Sequence, residues 1–346
     1  MEALKPRCQS PALDAKSDFR RALRTWFQEN GKDYPWRRTS EPYPILVSEM
    51  MLQQTRIATV IGKGFYTRFL EKFPTLPSLA AADDESLLKA WEGLGYYRRA
   101  RLLRSAAAAV IERHAGIFPS SEAELLALPG IGSYTASALL AFAFGKCSAL
   151  VDGNVSRVLS RLMDDHSPID SGPTIRRHRQ WAGDMCAPAY PAIHHQAMME
   201  LGQIHCRPGV PDCVSCPVSS FCKSPSPHLL PVKKSRVEKT EITEHAIWCT
   251  DRPGFLLLHK VAGPRRTGLW SLPLRPLAEC TFLEKISSSQ YHITRYVVSL
   301  QVYRGNSPEL LPGDEWIEWP RIAALPIAAP FRKEIEKLRD HFGNGM

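Results

Sequence analysis

The sequence predicts a mainly α-helical N-terminal domain joined to a smaller α+β domain. Across residues 18–222, apolar residues recur three and four positions apart, as on the buried face of a helix. Pro, Ser and Lys then dominate residues 223–241, which is typical of a linker. Beyond the linker, strand-like runs indicate an α+β domain over residues 242–346. A short lead, residues 1–17, is expected to be disordered.

The composition limits the classes of protein and partner. The chain has 346 residues, and its 44 Lys and Arg exceed its 35 Asp and Glu by nine. A hydrophobic content of 44% excludes a fibrous or fully disordered chain. The absence of an apolar run of about 18 residues argues against a membrane span, and the opening residues lack the apolar core of a secretory signal. The basic excess favours a polyanionic partner, with nucleic acid ahead of a membrane surface.

Helices can be placed along the first domain in order. The apolar spacing of Phe19–Phe27 predicts the first, and Pro44 is positioned to open a helical stretch that continues to Leu70. Residues 106–113 are rich in alanine, which favours helix. Residues 121–128 and 136–144 predict two further helices, the first with a capping pattern at its start.

Strands and one helix are predicted in the second domain. Ala246–Thr250, Phe255–His259 and Tyr296–Tyr303 are short runs rich in aliphatic and aromatic residues, which is typical of strands. Pro330–Phe342 has the spacing of a closing helix. These elements predict the α+β class for this part of the chain.

A glycine-rich turn separates two predicted helices in the first domain. In Leu128-Pro-Gly-Ile-Gly132, Gly130 and Gly132 permit a tight turn and leave backbone N–H groups exposed at the start of the next helix, where a phosphate can bind. This is a helix–hairpin–helix pattern, which binds the nucleic-acid backbone without reading its sequence. An ordinary corner between two helices is the alternative.

Four of the nine cysteines are clustered. Their spacing is C-x6-C-x2-C-x5-C, formed by Cys206, Cys213, Cys216 and Cys222. Four thiolates suit either a zinc ion or a [4Fe–4S] cluster. The single close pair, flanked by longer loops, favours the cluster, while zinc remains the alternative. An odd number of cysteines with no signal peptide argues against a disulfide framework and for a reducing compartment.

Glu49 is the first candidate for acid chemistry. It is the only charged residue between Glu41 and Arg56, and its neighbours are apolar. We expect a desolvated carboxyl group with a raised pKa, which suits a general acid. An exposed position on an amphipathic helix is the alternative.

Asp152 is the second candidate. It ends an apolar run twenty residues after Gly132 and precedes Gly153-Asn154. On local grounds it is either a functional anion or the N-cap of a helix over Val155–Leu162.

These features resemble the endonuclease III superfamily of DNA glycosylases. Narrower motifs resemble its MutY family of adenine DNA glycosylases: Tyr34-Pro-Trp-Arg37, Pro42-Tyr-Pro44, Ser48-Glu-Met-Met-Leu-Gln-Gln-Thr-Arg56, Trp91-Glu-Gly-Leu-Gly-Tyr-Tyr97, Val151-Asp-Gly-Asn-Val155 and Gln196-Ala-Met-Met-Glu-Leu-Gly202. The resemblance is dense over residues 18–222. It implies an iron–sulfur helix–hairpin–helix fold and excision of adenine mispaired with 8-oxoguanine or guanine in double-stranded DNA.

The resemblance also implies roles for individual residues. Glu49 matches the acid that protonates the base, Asp152 the carboxylate that stabilises the sugar cation or attacks it, and Asn154 a residue that holds Asp152. Strand-cutting relatives place a nucleophilic Lys where this chain has Tyr134. A phenol cannot form an imine, so a monofunctional enzyme without strong lyase activity is expected, with Tyr134 contacting the two carboxyl groups.

Two further sets of residues match positions that contact the DNA substrate in the family. Gln54 and Tyr96 match side chains that wedge into the duplex beside the lesion. The residues that match the lining of the adenine pocket are Trp36, Arg37, Leu52, Ile57 and Gln196.

The C-terminal segment resembles the family's Nudix-like domain more weakly. Gly268-Leu-Trp-Ser-Leu-Pro273 and the closing helix match, but the catalytic Nudix box is absent, so no pyrophosphatase activity is expected. Where many relatives carry a lesion-reading Phe-Ser-His loop, this chain has Ile293-Thr294-Arg295, of which Thr294 and Arg295 can still hydrogen-bond to DNA.

The resemblance further implies a monomer in the bacterial cytoplasm, associated with DNA and not with membranes. Two other functions remain open. One is a related mismatch glycosylase with a different base preference, and the other is a non-catalytic iron–sulfur protein that binds DNA.

Overall fold

The computed structural model describes residues 15–233, 239–263, 265–293, 295–306 and 309–342. The predicted lead up to residue 14, residues 234–238 of the predicted linker and Thr294 lie outside the described residues. No helix in these ranges combines the length and apolar character needed to cross a bilayer.

The described residues are mainly helical up to residue 204, and strands begin at residue 240. The α-helices are α1 Lys16–Asn30, α2 Pro42–Leu52, α3 Ile57–Gly62, α4 Phe65–Lys72, α5 Leu76–Ala80, α6 Asp84–Ala90, α7 Arg98–His114, α8 Glu122–Leu126, α9 Ser133–Phe142, α10 Gly153–Leu162, α11 Gly172–Met185, α12 Pro191–Ile204, α13 Leu277–Cys280, α14 Trp319–Ile322 and α15 Ala329–Phe342. Short 3-10 helices occupy Pro35–Arg37, Ser219–Phe221 and Pro227–Leu229.

The chain forms two compact units, each built from two segments. The first unit contains the described residues up to Gln53 and those from Ala109 to residue 233. The second contains Gln54–Ala108 and the described residues from 239 onward. A linear reading of the sequence does not reveal this pairing of distant segments.

The first unit is a helical assembly centred on α12. Helix α12 packs against α1, α9 and α10, and α9 also packs against α2 and α8. Phe19, Leu23 and Trp26 lie on one face of α1, as their spacing predicts, and join the buried core with Leu159 and Leu201. This packing holds the start of α10 beside α12, and the start of α9 beside α2.

The second predicted helix begins and ends elsewhere than expected. Pro42, not Pro44, is the first residue of the helix, where the missing N–H costs nothing because an N–H at that position has no partner inside a helix. The helix stops at Leu52 because the backbone turns left-handed at Gln54, with φ 59°. The helical stretch is broken again at Gly64, which has φ 62°.

The strand-rich part of the second unit contains two three-stranded sheets. The strands are β1 Thr240–Trp248, β2 Phe255–Lys260, β3 Trp270–Ser271, β4 Lys285–Ile293, β5 Tyr296–Arg304 and β6 Asp314–Glu318. One sheet has the order β1-β5-β4, with β1 parallel and β4 antiparallel to β5. The other has the order β3-β2-β6 and is antiparallel. The three predicted strands and the closing helix α15 are confirmed, and β3, β4 and β6 are additional.

Helical and strand-rich segments of the second unit are joined by ion pairs. Arg101 pairs with Asp84 at 2.6 Å and also donates to the carbonyl of Thr267. Arg332 on α15 pairs with Glu92 at 3.0 Å. Leu88 of α6 belongs to the same buried apolar cluster as residues of β1, β2 and α15. These contacts explain why Gln54–Ala108 belongs to this unit.

A disulfide joins Cys147 and Cys186 in the first unit. Their Cα atoms are 5.8 Å apart, within the range that a disulfide spans. The two cysteines are 39 residues apart in sequence, and nothing in their local surroundings predicted the pairing.

Candidate active site

Glu49 lies inside the first unit, as its apolar neighbours predicted. It is on α2, whose residues from Ile45 to Met51 are all buried, and only 4% of Glu49 is exposed. Burial raises the pKa of Glu49 from 4.5 to about 7, a hydrogen bond with Tyr134 opposes the rise, and the charge of Asp152 adds to it. Its Oε2 atom has no hydrogen-bond partner in the part of the chain that the structure describes. The predicted burial and raised pKa are confirmed.

Asp152 is both a helix cap and a half-buried carboxylate. Its Oδ1 accepts a hydrogen bond from the Val155 N–H at 2.7 Å, which caps α10, and its Oδ2 accepts one from Asn154 Nδ2 at 2.9 Å. Burial raises the pKa of Asp152, and these hydrogen bonds and Arg157 oppose the rise. The two readings of this residue are therefore compatible, because capping fixes the position of the carboxylate.

Tyr134 lies close to both carboxyl groups. It is the second residue of α9, and burial and the charges of Glu49 and Asp152 raise the pKa of its phenol well above the usual value. The hydroxyl also donates to Met199 Sδ at 3.8 Å. We call Glu49, Tyr134 and Asp152 the carboxyl pocket. Tyr134 is hydrogen-bonded to Glu49 and influenced by the charge of Asp152, and the direct contact with Asp152 stays a prediction.

The glycine-rich turn lies between α8 and α9, as predicted. Gly130 has φ 73°, a conformation that a side chain disfavours. Gly132 caps α9 with an extended backbone, and a Cβ atom there would meet nothing within 4 Å. Gly132 is thus not required by the turn itself. Its missing side chain leaves open space in front of the helix N-terminus.

The Trp36–Arg37 segment is anchored by a residue that the sequence analysis missed. Glu200 on α12 is 1% exposed, and its carboxylate accepts from Arg37 Nη1 at 2.6 Å and from the Lys32 N–H at 2.9 Å. Trp36 is 9% exposed and stacks on Tyr34 with ring centroids 5.3 Å apart. Glu200 is the only charged residue in α12, the same signal that singled out Glu49.

The other predicted pocket residues are divided between the units. Leu52 is one helical turn after Glu49 on α2, and Gln196 is one turn before Glu200 on α12, so each shares a face with a buried acid. Both side chains are half-buried in the first unit. Ile57 begins α3 in the second unit.

The two predicted wedge residues share the second unit. Gln54 and Tyr96 are both exposed, Tyr96 by 45%. Both have a left-handed backbone, with φ 59° and 49°, which is rare for residues other than glycine. The structure thus presents two exposed side chains on unusual turns.

The four clustered cysteines lie beside the first unit's core. Cys206, Cys216 and Cys222 pack against buried apolar residues, and Cys213 is exposed. Burial and the charges of the other three thiols raise the pKa of Cys216 to about 11. Within the described residues, no group of three or more His, Cys, Asp or Glu side chains already has metal-site geometry. The donor set nevertheless fits a four-thiolate centre, since the other three thiols lie close enough to Cys216 to raise its pKa and a metal would displace their protons.

One buried arginine, Arg157, joins the cysteine loop to α10. Arg157 donates to the carbonyl of Cys206 at 2.8 Å and to Asn154 Oδ1 at 3.0 Å. It also donates to the carbonyl of Gly202, where a Cβ atom would lie 2.8 Å from that of Asn154. A glycine is therefore needed for α12 to approach Asn154. The residue that holds Asp152 is thereby linked to the first cysteine.

Arg295 lies in the turn between β4 and β5. It is exposed, and its guanidinium donates to the Tyr296 hydroxyl at 3.1 Å. Arg265 lies over the same ring, 4.1 Å from its centroid. Two cations therefore converge at this turn of the second unit.

Sequence comparisons identify proteins that are similar to this chain. Residues 47–179 match the model of the HhH-GPD superfamily of base excision DNA repair proteins. The chain is 42% identical over 217 residues to the human adenine DNA glycosylase, covering 60% of this chain but 39% of that protein. It is 37% identical over 202 residues to the Mycolicibacterium smegmatis adenine DNA glycosylase, covering 57% of this chain and 66% of that one. The chain thus spans about two fifths of the length of its human relative.

Solved structures are similar over about three fifths of the chain. A thermostable thymine-DNA glycosylase is similar with a TM-score of 0.55 and 28% identity, over 61% of this chain and 97% of that one. Endonuclease III in a trapped covalent DNA complex is similar with a TM-score of 0.50 and 27% identity, over 60% of this chain and 96% of that one. The chain therefore belongs to the HhH-GPD superfamily of base excision DNA repair proteins and, within it, to the MutY family of adenine DNA glycosylases.

Proposed function

We propose that this chain is a monofunctional DNA glycosylase that removes adenine mispaired with 8-oxoguanine or guanine in double-stranded DNA. The carboxyl pocket is the observation that carries the proposal. It combines a buried acid with a raised pKa, an unpartnered carboxyl oxygen and a second carboxylate held by a helix cap. Such a pair suits glycosidic bond cleavage, in which one carboxyl group gives a proton and the other faces the sugar cation.

Glu49 is the proton donor in this proposal. Adenine must leave the base stack before its glycosidic bond can be reached. Because burial raises the pKa of Glu49 to about 7, its carboxyl group can hold a proton near neutral pH. Donation to N7 of the extruded base makes adenine a better leaving group, and the electron pair of the C1′–N9 bond departs with it.

Asp152 faces the positive charge that forms on the sugar. The carboxylate is held by the Val155 N–H and by Asn154, so it needs little reorganisation as the charge develops. Either electrostatic stabilisation or transient attack on C1′ is compatible with this position. Water then completes the hydrolysis and leaves an abasic site.

Tyr134 supports the monofunctional assignment. The position that would carry a Schiff-base lysine holds a phenol, whose raised pKa keeps it protonated and able to donate to Glu49. Borohydride should therefore trap no more protein–DNA adduct with this chain than with a Tyr134→Phe variant. Efficient trapping would contradict the assignment.

Cys206, Cys213, Cys216 and Cys222 would hold the proposed [4Fe–4S] cluster. When bound, the cluster would supply four metal–thiolate bonds that fix the loop following α12. The carboxyl pocket accounts for the base-loss chemistry without it. Purified protein should contain about four iron atoms per chain and be brown, whereas the zinc alternative predicts a colourless protein.

The DNA contacts follow from the exposed elements. The open space at Gly132 and the free N-terminus of α9 suit a phosphate, and Gln54 and Tyr96 suit insertion into the duplex. Residues 242–346 are proposed to form a Nudix-like lesion-recognition domain, with Arg295 contacting DNA. Residues 18–222 are the proposed glycosylase domain, and the protein is proposed to act as a cytoplasmic monomer.

The decisive experiment measures single-turnover excision from A:8-oxoG, A:G and A:T duplexes. We expect excision from the first two and little from the third. Glu49→Gln should abolish excision while binding of the mismatched duplex persists. The absence of adenine excision by the wild type would overturn the proposal.

A different base preference is the second candidate. The similarity to a thermostable thymine-DNA glycosylase supports it, although the curated relatives described above are named for adenine. A T:G duplex added to the substrate panel distinguishes the two. A non-catalytic role would instead predict that Asp152→Asn leaves the rate of adenine excision unchanged.

A further inference from the structure

The two exposed wedge residues are connected by one buried arginine. Arg99, in the first turn of α7, is 7% exposed. Its Nη2 donates to Thr55 Oγ1 at 3.3 Å, next to Gln54. The same nitrogen donates to the carbonyls of Leu94 and Gly95, at 3.3 and 3.1 Å, next to Tyr96. A single side chain therefore bonds to two turns that are about forty residues apart in sequence.

Aromatic rings complete this arrangement. The guanidinium of Arg99 lies 5.4 Å from the centroid of the exposed Tyr96 ring and 5.6 Å from that of the buried Trp91 ring. Trp91 Nε1 also donates to the carbonyl of Gly95 at 3.2 Å. Burial lowers the pKa of Arg99 to about 10, so the group remains a cation at neutral pH.

Both turns need such support because their backbones are unfavourable. Gln54 and Tyr96 have φ values of 59° and 49°, where a side chain crowds the backbone. Residues remain in this region only when their surroundings hold them there. Arg99 contacts the backbone or a neighbour of both, and all these residues lie in the second unit.

We infer that Arg99 is a positioning residue that ties the Gln54–Thr55 turn to the Gly93–Tyr96 turn, so that both wedge side chains enter DNA as one preformed edge. The inference rests on the proposed function. Two independently mobile turns would lose conformational freedom on binding, and the buried guanidinium removes that cost beforehand. Arg99 should therefore assist extrusion of the base and leave the chemistry on an extruded base unaffected.

The experiment separates extrusion from excision. 2-Aminopurine, whose fluorescence rises when it leaves the base stack, replaces adenine opposite 8-oxoguanine, and binding is followed in a Glu49→Gln background with and without Arg99→Met. Single-turnover excision by Arg99→Met alone is measured on the A:8-oxoG duplex and on a duplex with one unpaired, bulged adenine.

We expect Arg99→Met to reduce the fluorescence gain and to slow excision from the A:8-oxoG duplex about tenfold, with about twofold or less change on the bulged adenine. Equal slowing on both substrates would assign Arg99 a purely structural role and overturn the inference. So would an unchanged fluorescence gain.

Control variants guard against misfolding. Arg104 lies on the same helix, is half-buried and donates to the carbonyl of Ala82 and to Asp84, away from both turns. Arg104→Met should leave extrusion unchanged. Thr55→Val removes only the hydroxyl that Arg99 contacts and should reduce extrusion, whereas Thr55→Ser should restore it. Equal extrusion by the two Thr55 variants would also overturn the inference.

The two proposals fail in different ways. If the wild type excises adenine from neither substrate, the proposed function is wrong and the inference fails with it. If the wild type excises adenine and Arg99→Met extrudes 2-aminopurine normally, only the inference fails.

Discussion

Two polar clusters in the first unit each contain a buried acid and differ in how well their groups are paired. The carboxyl pocket leaves Glu49 Oε2 without a hydrogen-bond partner among the described residues. The second cluster, which we call the histidine network, consists of Ser156, Asp165, Arg177 and His178. Ser156 Oγ lies 2.7 Å from His178 Nδ1, and His178 Nε2 lies 3.2 Å from Asp165 Oδ2.

The acids of the two clusters have opposite pKa shifts. Glu49 is 4% exposed and burial raises its pKa to about 7. Asp165 is 8% exposed, and burial alone would raise its pKa, but hydrogen bonds from Arg177 and the Ser167 N–H lower it overall. Burial therefore dominates the pKa of Glu49, whereas hydrogen bonds and charge pairing outweigh burial for Asp165, which stays a fixed anion.

The histidine network also shows that residue types do not define a site. It brings Ser, His and Asp into contact, as hydrolytic triads do, but its serine is buried and contacts Nδ1 of the histidine. Each of its acceptors is paired, which is expected of a structural network. In the carboxyl pocket, by contrast, Glu49 Oε2 is buried without a partner among the described residues. Such an exception to full pairing is typical of a functional site.

The largest expected difference is between two equivalent substitutions. Under the proposed function, Asp152→Asn should lower the single-turnover rate of adenine excision about a thousandfold, since it would remove the anion proposed to face the sugar. The fold should persist because Asn caps a helix as well as Asp does. Asp165→Asn should change the rate about twofold or less. Equal rate losses in the two variants would show that the comparison is wrong.

The next effect concerns stability. The pKa of Glu49 is about 7 in the folded protein, against an ordinary value of 4.5. The stability that protonated Glu49 provides is therefore complete below pH 4.5. It is lost as the pH rises through 7. Glu49→Gln stays neutral at every pH. It should match the wild type near pH 4.5 and exceed its free energy of unfolding at pH 8 by up to about 3 kcal/mol. Denaturant unfolding at both pH values measures this, and a variant less stable at pH 8 would contradict it.

Asp165→Asn should have the opposite dependence. The lowered pKa of Asp165 means that its contribution to stability is present above its ordinary pKa of 3.8 and is lost as the pH falls through the folded value. At pH 7 the substitution should cost about 2 kcal/mol, because it weakens hydrogen bonds between charged groups. The cost should shrink in acid. If the loss in the free energy of unfolding were the same across this pH range, the effect of Asp165→Asn would be due to packing alone.

The same contrast shows what the sequence could predict. Glu49 was recognisable because one charge stood in an apolar helix, and Glu200 carried the same signal but was overlooked. Asp165 and His178 were not predictable, since their pairing depends on α11 packing beside α10. The helices and three strands followed from local spacing. The pairing of Gln54–Ala108 with the strand-rich segment did not, because it depends on contacts between residues more than a hundred positions apart.

The last effect is the pH dependence of excision. If Glu49 donates the proton, the single-turnover rate with saturating enzyme should fall about tenfold per pH unit above pH 7, as its carboxyl group ionises. The rate should also fall in acid, because the Asp152 carboxylate, whose pKa is raised, then takes up a proton. Asp165→Asn should leave this profile unchanged, since His178 and Asp165 belong to the other cluster. A wild-type rate independent of pH between 6 and 9 would mean that Glu49 does not supply the proton. In that case its unpaired oxygen would have to be explained by something other than acid catalysis.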